Sequence, residues 1–403
     1  MYLNFVSMGL FIILVLTEFL TPVVLKQHFY LHSKAKYFIS IIIHVILSLW
    51  VWIIYFETTY YKSFYDNPQH VWLMMNMTAI VIAIVVPRAI INILHFSGKL
   101  IYIKKGGHSR WLTNTGLVIS ILMLSIITVS SLYSRFNFKT EEVTIKIARL
   151  NKDLDGLKIV QLSDMHLTSF YHHKKQLKKV MDEVNRLKPD LLINTGDFVS
   201  FGWREFERDD TILSKARSRY GNYAILGNHD VGTYDPDFTE ADKENNILIM
   251  NNLIRVSGYQ VLNDEYKTVN IGKARIALIG VITGGRYPHM IHGNLDKAIS
   301  GLGSRDSVDL KILLSHDPNH WAEAVVGKTD IDITFSGHTH GMQMGIITKK
   351  FRWSPSKYFY PHWNGLYAEG HQYQYVNRGL GEQTIPFRIW MPPEITVITL
   401  KKE

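Results

Sequence analysis

The sequence predicts four membrane-spanning helices followed by an α/β domain in which two sheets pack together with helices outside. Three observations predict it. Four long apolar stretches crowd the first third of the 403 residues. Beyond them, short apolar runs alternate with a helical pattern and then give way to a block of strand-like runs. Five of the runs end in clusters of Asp, Asn and His. Residues at the ends of parallel strands converge in the crevice where open α/β sheets bind their ligands.

The apolar stretches are Leu3–Leu25, Tyr37–Phe56, Val71–Phe96 and Leu117–Tyr133. Each is near or above the ~17–20 residues a helix needs to cross a bilayer. A secretory signal would be one stretch with a short apolar centre and a cleavage site, so four stretches between short polar loops read as spans. A membrane domain is therefore expected at 1–135 and a second domain at 136–403, with the boundary in Ser134–Glu142. Glu18, His44 and Arg88 are ionisable groups within the spans. Such groups are costly in a bilayer. They are expected to face one another inside a small bundle, a lipid-headgroup pocket being the alternative.

Charge separates the two parts. Residues 1–135 hold ten Lys or Arg against three Asp or Glu, which accounts for +7 of the chain's +9. That excess lies in loops flanking the spans, where anionic headgroups are its natural partner, and no nucleic-acid-binding motif accompanies it. A nucleic-acid partner is not expected, despite a pI near 9.3. The loop after the first span holds Lys26, Lys34 and Lys36, and the loop after the third holds Lys99, Lys104, Lys105 and Arg110. Between the second and third spans only Lys62 appears, with Glu57 and Asp66 beside it. The positive-inside tendency puts the two basic loops in the cytoplasm and the second domain outside. Arg135 and Lys139 count weakly against that placement. The chain has no cysteine, so disulfides and thiolate ligands are excluded.

In the second part LKIVQLS, DLLINT, NYAIL, LKILL and DIDITF read as buried strands. Leu177, Val180, Met181, Val184 and Leu187 recur at helical spacing before Lys188-Pro189 ends the pattern. Strand, helix and strand in that order make a right-handed crossover between parallel strands. A second helix is expected from near Thr239 to Val256, stopped by Gly258. The runs YQVLND, YKTVNI and ARIALIGV follow as strands, then a loop rich in Gly and charge up to Val308.

The clusters behind the five strands are Asp164-Met165-His166, Gly196-Asp197, Gly227-Asn228-His229-Asp230, Ser315-His316 and Gly337-His338-Thr339-His340. Together they supply what a two-metal phosphoesterase site needs. Two divalent ions ~3.5–4 Å apart clamp a phosphate, neutralise its charge and generate hydroxide at neutral pH. The pair needs a bridging carboxylate, for which Asp197 is the candidate, with Gly196 permitting the turn that aims it. Asp164 and His166, at i and i+2 of an extended segment, project to one side and can chelate one ion.

The same residues resemble the calcineurin-like metallophosphoesterase superfamily: D-x-H, G-D, G-N-H-[D/E], an isolated H and G-H-x-H, intact over roughly residues 150–403. The resemblance is closest to a bacterial membrane-associated subgroup, with a Gly-rich tail like Asn377-Arg378-Gly379-Leu380-Gly381 and a final strand like PPEITVITL. One departure is Gly-Met-Gln at Gly341–Gln343, where many relatives have a second Gly. The resemblance implies a four-layer α/β/β/α sandwich and two divalent ions, Mn, Fe or Zn. It implies that Asp164, His166 and His340 bind the first ion and Asn228, His316 and His338 the second. His229 would protonate the leaving oxygen or stabilise the transition state, with Asp230 orienting its ring or serving only as a turn residue before Val231-Gly232. The attacking species would be a water or hydroxide between the metals.

Other residues have two readings. Asp317 and Asp332 are candidates for orienting ligand histidines, or are solvated caps. Arg286, Tyr287 and His289 could form a substrate rim with Arg378, although His172, His173, His289 and His292 also suit solvated loops. The aromatic-basic stretch Phe351–Trp363 suits an interface with lipid or packing over a sheet edge. The expected activity is hydrolysis of a phosphodiester or pyrophosphate, such as that of a lipid or envelope precursor. The alternatives are a phosphoesterase of soluble monoesters or nucleotides anchored by its spans, and a non-catalytic metal-binding scaffold.

Overall fold

A computed structural model describes the chain apart from residues 1, 31, 61–64, 66, 102–109, 287, 303–306, 349 and 384. Lys62, Asp66, Lys104, Lys105 and Tyr287 therefore lie outside the described residues. The chain divides into two compact units, Met1–Phe64 with Leu73–Leu132 and Tyr65–Trp72 with Tyr133–Glu403.

The first unit is built on α1 (Tyr2–Leu25), α2 (Lys34–Tyr60), α3 (Pro68–Ile101) and α4 (Arg110–Leu132). All are long and apolar enough to cross a membrane. Isoleucine, leucine and phenylalanine side chains face outward along them, as in Phe19, Ile42 and Leu122. Several polar side chains turn inward. Arg88 donates to Glu18 at 3.0 Å and to Ser48 at 3.1 Å, and His44 Nε2 lies 3.4 Å from Glu18. One or two turns further along α3, Asn92 donates to Thr21 at 3.1 Å, and His95 pairs with Gln27 at 2.8 Å. Residues 88, 92 and 95 share one helical face, so these contacts tie α3 to α1 and to the turn that follows α1 by hydrogen bonds of the kind that join spans. Glu18, His44 and Arg88 thus meet one another.

The second unit has strands β1 (Lys139–Ile147), β2 (Lys158–Leu162), β3 (Leu191–Asn194), β4 (Asn222–Ala224), β5 (Gln260–Val261), β6 (Glu265–Ile271), β7 (Ala274–Val281), β8 (Thr283–Arg286), β9 (His289–His292), β10 (Leu310–Ser315), β11 (Ile333–Ser336), β12 (Ile346–Ile347), β13 (Arg352–Trp353), β14 (Gly365–Glu369), β15 (Gln372–Val376) and β16 (Glu394–Lys402). Its helices include α5 (Lys174–Leu187), α6 (Asp210–Leu213), α7 (Glu240–Val256) and α8 (Leu295–Ile299). One sheet runs β1-β16-β2-β3-β4-β5 and the other β14-β15-β11-β10-β7-β6. In the first, β2 through β5 are parallel. In the second, β7, β10, β11 and β15 are.

Strand alternation explains the layers. Val160, Leu162 and Leu192 point from the first sheet to α5 and α7, joining Leu177, Val180, Met181 and Ile254. Ile159, Leu191 and Ile193, one residue out of phase, meet Ile276, Leu278, Ile312 and Leu314 of the second sheet. On the far face of that sheet Ala277, Ile279 and Leu313 pack with Ala298 of α8 and with Trp321. The result is the four-layer α/β/β/α sandwich. Helix α5 ends as expected: Lys188 takes a left-handed φ of 50° and Pro189 prevents continuation.

The boundary stretch Ser134–Glu142 holds the start of β1, which begins at Lys139 and pairs with β16 along nine residues. One expectation needs correction. The expected loop before Val308 contains the β8–β9 hairpin and α8. Strand β1 had no signal of its own because it is amphipathic and half exposed, and its partner lies some 250 residues away in sequence.

Candidate metal centre

The chain leaves β2, β3 and β11 through turns that force the following side chains into one crevice. Asp164, His166, Asp197, His338 and His340 all have positive φ, between 41° and 70°. Left-handed backbone is unfavourable for non-glycine residues, of order 1–3 kcal/mol each, and such strain clusters at functional sites. Ladders between loops hold it. Asp164 N–H donates to Gly196 O at 2.9 Å and His166 N–H to Asp197 O at 3.1 Å, while Gly381 N–H reaches Asp164 O at 2.9 Å. Glycine is required where loops cross: a Cβ on Gly196 would stand 2.8 Å from the Gly227 Cα, and one on Gly379 would stand 2.7 Å from the Asp164 Cβ.

Two groups of donor atoms result, each within 4.8 Å of one another: Asp164, His166 and His340, and Asp197, His316 and His338. Asp197 faces both, its Oδ2 3.0 Å from His316 Nε2 and 3.9 Å from His166 Nε2. The groups meet where His316 Nε2 lies 4.0 Å from Asp164 Oδ1. Each imidazole is oriented from behind through its other nitrogen. His166 Nδ1 is 3.0 Å from Ser200 Oγ, His316 Nδ1 donates to Thr195 O at 2.7 Å, and His338 Nε2 pairs with the Tyr360 hydroxyl at 2.8 Å. Such outer partners fix ring orientation at metal sites.

Burial governs the electrostatics. It drives His166 down to about 3 and His338 to about 4, leaving their lone pairs free at neutral pH. It pushes Asp164 up to about 7. Burial also opposes a charged His316, but the Asp197 carboxylate outweighs it and raises that ring to about 10. Asp197 is held below the usual carboxylate range, its burial overcome by His316 and His229. Two buried carboxyl groups beside the neutral rings of His166, His338 and His340 suit a cation. Asn228 points the same way: its Nδ2 donates to Tyr234 OH at 3.0 Å, and its buried Oδ1 has no hydrogen-bond partner. An unpaired buried oxygen costs ~1–3 kcal/mol unless a ligand occupies it. The residues fit divalent ions with nitrogen and oxygen preference, and no thiolate is available.

The Calcineurin-like phosphoesterase family model matches residues 157–342. The uncharacterized metallophosphoesterase YkuE of Bacillus subtilis is 32% identical over 270 residues, 65% of this chain and 85% of that protein. The chain belongs to the calcineurin-like phosphoesterase family. UDP-2,3-diacylglucosamine pyrophosphatase LpxG of Chlamydia trachomatis is 32% identical across 63% of this chain and 88% of its own. A transmembrane protein with metallophosphoesterase domain from Danio rerio is 30% identical across 70% of this chain, which spans 63% of that relative. The protein is thus a metal-dependent hydrolase of the phosphoesterase class.

Within this phosphoesterase His229 lies beside the two groups, its N–H on Asp197 Oδ1 at 3.0 Å. Its Nδ1 donates to Ser200 O at 2.6 Å and its Nε2 accepts from Gln383 at 2.8 Å. Asp230 does not orient that ring, which corrects the expectation. Its carboxylate accepts the N–H groups of Asp197 at 2.7 Å, Gly227 at 3.0 Å and Val199 at 3.1 Å. Burial pushes Asp230 up to about 8, with the Asp197 charge adding to it. It is a brace for the Asp197 backbone.

Arg378 is also corrected. It is buried, bonded to Glu394 at 2.5 Å and to Glu141 at 2.7 Å, and is unavailable to a substrate. Arg286 stays near the site: its guanidinium sits 4.7 Å from the Tyr234 ring centre and is held by Thr233 O. His289 opposes Arg286 across the β8–β9 hairpin and is exposed. Asp317 pairs with His292 at 3.1 Å, and Asp332 accepts the N–H of Lys311 at 2.9 Å.

Several residues escaped the sequence reading. Tyr234 stacks on His229 at 3.8 Å and 6° while holding Asn228, so one side chain positions both. Gln343, at the departure from the family pattern, has a φ of 55°. Its amide donates to Ile385 O at 2.6 Å and Phe387 O at 2.9 Å, and its oxygen accepts from Gln383 N–H at 2.9 Å. Buried Arg388 collects the carbonyls of Arg378, Gly379 and Gly381 and lies 3.3 Å from His340. Only the Gly-rich tail hinted at this wrapping.

Proposed function

We propose that this protein is a membrane-bound phosphoesterase that uses two divalent ions to hydrolyse a phosphodiester or pyrophosphate of an amphiphilic substrate. Asp164, His166 and His340 would hold one ion, Asn228, His316 and His338 the other, with Asp197 between them. The ions would neutralise the phosphate and supply a nucleophile at neutral pH. The chain's own residues do the rest. His229 stands at the edge of the site with one nitrogen anchored on Ser200 and the other open to a leaving oxygen once Gln383 yields. The single observation that carries the metal reading is the convergence of the two donor groups on Asp197.

The substrate class rests on the cleft. A cavity of about 350 Å³ is lined by His338 and His340 together with the apolar side chains of Met342, Met344, Phe359, Ile385 and Phe387. A water-soluble headgroup needs no such wall. The chlamydial relative, a UDP-2,3-diacylglucosamine pyrophosphatase by name, acts on a molecule with the same division into pyrophosphate and acyl part. Assayed as solubilised full-length protein with Mn²⁺, the enzyme is expected to act faster on lipid phosphoesters in mixed micelles than on their soluble headgroup analogues. Equal rates on both would refute the amphiphilic substrate and favour soluble monoesters or nucleotides.

Orientation follows from the charges. Lys26, Lys34, Lys36, Lys99 and Arg110 favour cytoplasmic loops. Arg135, which counted against that placement, is buried, 3.4 Å from Glu382 and donating to Ser169 O at 3.0 Å. Its charge is met inside the catalytic unit and has little weight in a headgroup argument. A compartment-sensitive reporter after Glu403 should therefore signal outside the cytoplasm, and one in the loop around Lys105 inside. The reverse pattern would overturn this placement.

A further inference from the structure

Large hydrophobic side chains are exposed unevenly over the catalytic unit. Met342, Ile346, Phe351, Tyr358, Phe359 and Trp390 stand in solvent, Tyr358 at 70% and Trp390 at 66%. Among the other described residues beyond 133, only Leu248, Val256 and Ile291 do. Scattered exposed apolar residues need no explanation, but a contiguous set marks an interaction surface. This set is contiguous through the backbone. Strands β12 and β13 form a hairpin closed by Thr348 and Phe351, Met344 bridges to Ile389 beside Trp390, and Ser354 fastens the next turn to Gly341 O at 2.6 Å.

The charge of the same stretch is one-sided. Between Asp332 and Glu369 the chain has no acidic residue, while Lys350, Arg352 and Lys357 are interleaved with the aromatics. Aromatic rings with cations at their flanks match the headgroup level of a bilayer, and the cations match anionic lipid. The patch is also continuous with the cleft. Phe359 and Met342 line the cavity, and Tyr360, next in sequence to Phe359, holds His338 at 2.8 Å.

We propose that this rim is the surface by which the catalytic unit docks on an anionic bilayer, so that a lipid-borne phosphoester reaches the metal centre along an apolar path. The proposal rests on the amphiphilic-substrate reading and adds the surface that delivers the substrate. The four spans supply the bilayer, and the rim supplies the contact that a tether alone would not.

The chain has no cysteine, so Phe351→Cys carries a single environment-sensitive dye. Leu248→Cys, exposed on α7, is the control. Full-length protein in nanodiscs with phosphatidylglycerol should give a blue-shifted dye at 351 that a lipid-borne quencher extinguishes, and an unshifted, unquenched dye at 248. In the same nanodiscs Phe351→Ser with Trp390→Ser should lower kcat/KM on a lipid phosphoester roughly tenfold, the scale of losing part of an aromatic side chain's burial. Hydrolysis of a soluble aryl ester should stay unchanged, which also certifies folding. A dye at 351 that behaves like the one at 248 would overturn the docking. A blue shift that the lipid-borne quencher does not touch would overturn it too, by assigning the rim to a protein partner. Docking without lipid hydrolysis would sink the substrate reading and leave the rim standing; lipid hydrolysis without docking would do the opposite.

Discussion

Asp197→Asn is expected to remove bound metal and hydrolysis together. The side chain faces both donor groups at 3.0 and 3.9 Å and also receives the N–H of His229. An amide keeps the shape but loses the charge that offsets two cations, and it turns an NH₂ towards one of them. Removing a partner one shell out from a metal costs about 10–100-fold in affinity or activity, so loss of a residue facing both ions should exceed that range. Because Asp197 also braces its neighbours, His338→Ala is the cleaner companion: apart from the metal group its ring has a hydrogen bond to Tyr360. Metal content by elemental analysis and turnover of an aryl phosphodiester should fall in both variants. Chelation should abolish the activity of the unaltered protein, and Mn²⁺ should restore it. Full turnover in a metal-free preparation would refute the two-metal reading.

The second large effect is expected at His229→Ala, and it should separate chemistry from metal binding. A positioned acid contributes about 10²–10⁴-fold, so kcat should fall by that order while metal content stays nearly intact. Burial lowers the pKa of this ring, and with Nδ1 donating to Ser200 O the neutral form leaves its lone pair on Nε2. The ring must therefore gain a proton before it can give one, and an anionic phosphate beside it favours that. The defect should be small for a substrate with a good leaving group and large for an alkyl ester. Equal losses for both would exclude proton donation and leave His229 a role in stabilising charge.

The strand ends were legible because the pattern that makes them is local. A buried strand needs an uninterrupted apolar run, as in LKILL or NYAIL, and the first polar residues after it mark the exit. Helix α5 was legible from five apolar positions at helical spacing and a Lys-Pro stop, and the spans were legible from length and hydropathy alone. Strand β1 was not. Its alternation is mixed, and its pairing with β16 depends on a contact across most of the catalytic unit.

The candidate site divides in the same way. The sequence by itself determined the chemical inventory: which Asp, Asn and His residues follow which strands, that no thiolate competes, and that the apolar third precedes them. It could not decide what a given polar residue faces. Asp230 reads as the partner of its neighbour His229, yet it turns to the backbone of Asp197, because three loop N–H groups point at it there. Arg378 reads as a rim cation in a Gly-rich tail, yet two glutamates from β1 and β16 enclose it. Gln343, Tyr360 and Arg388 carry no local signal, because each acts through a hydrogen bond to a loop elsewhere in the chain, and Tyr234 carries none because its turn back onto Asn228 and His229 has no periodic pattern. Apolar periodicity is a property of neighbours in sequence, whereas a directional bond is decided by whichever donor or acceptor the packed sheets bring within about 3 Å.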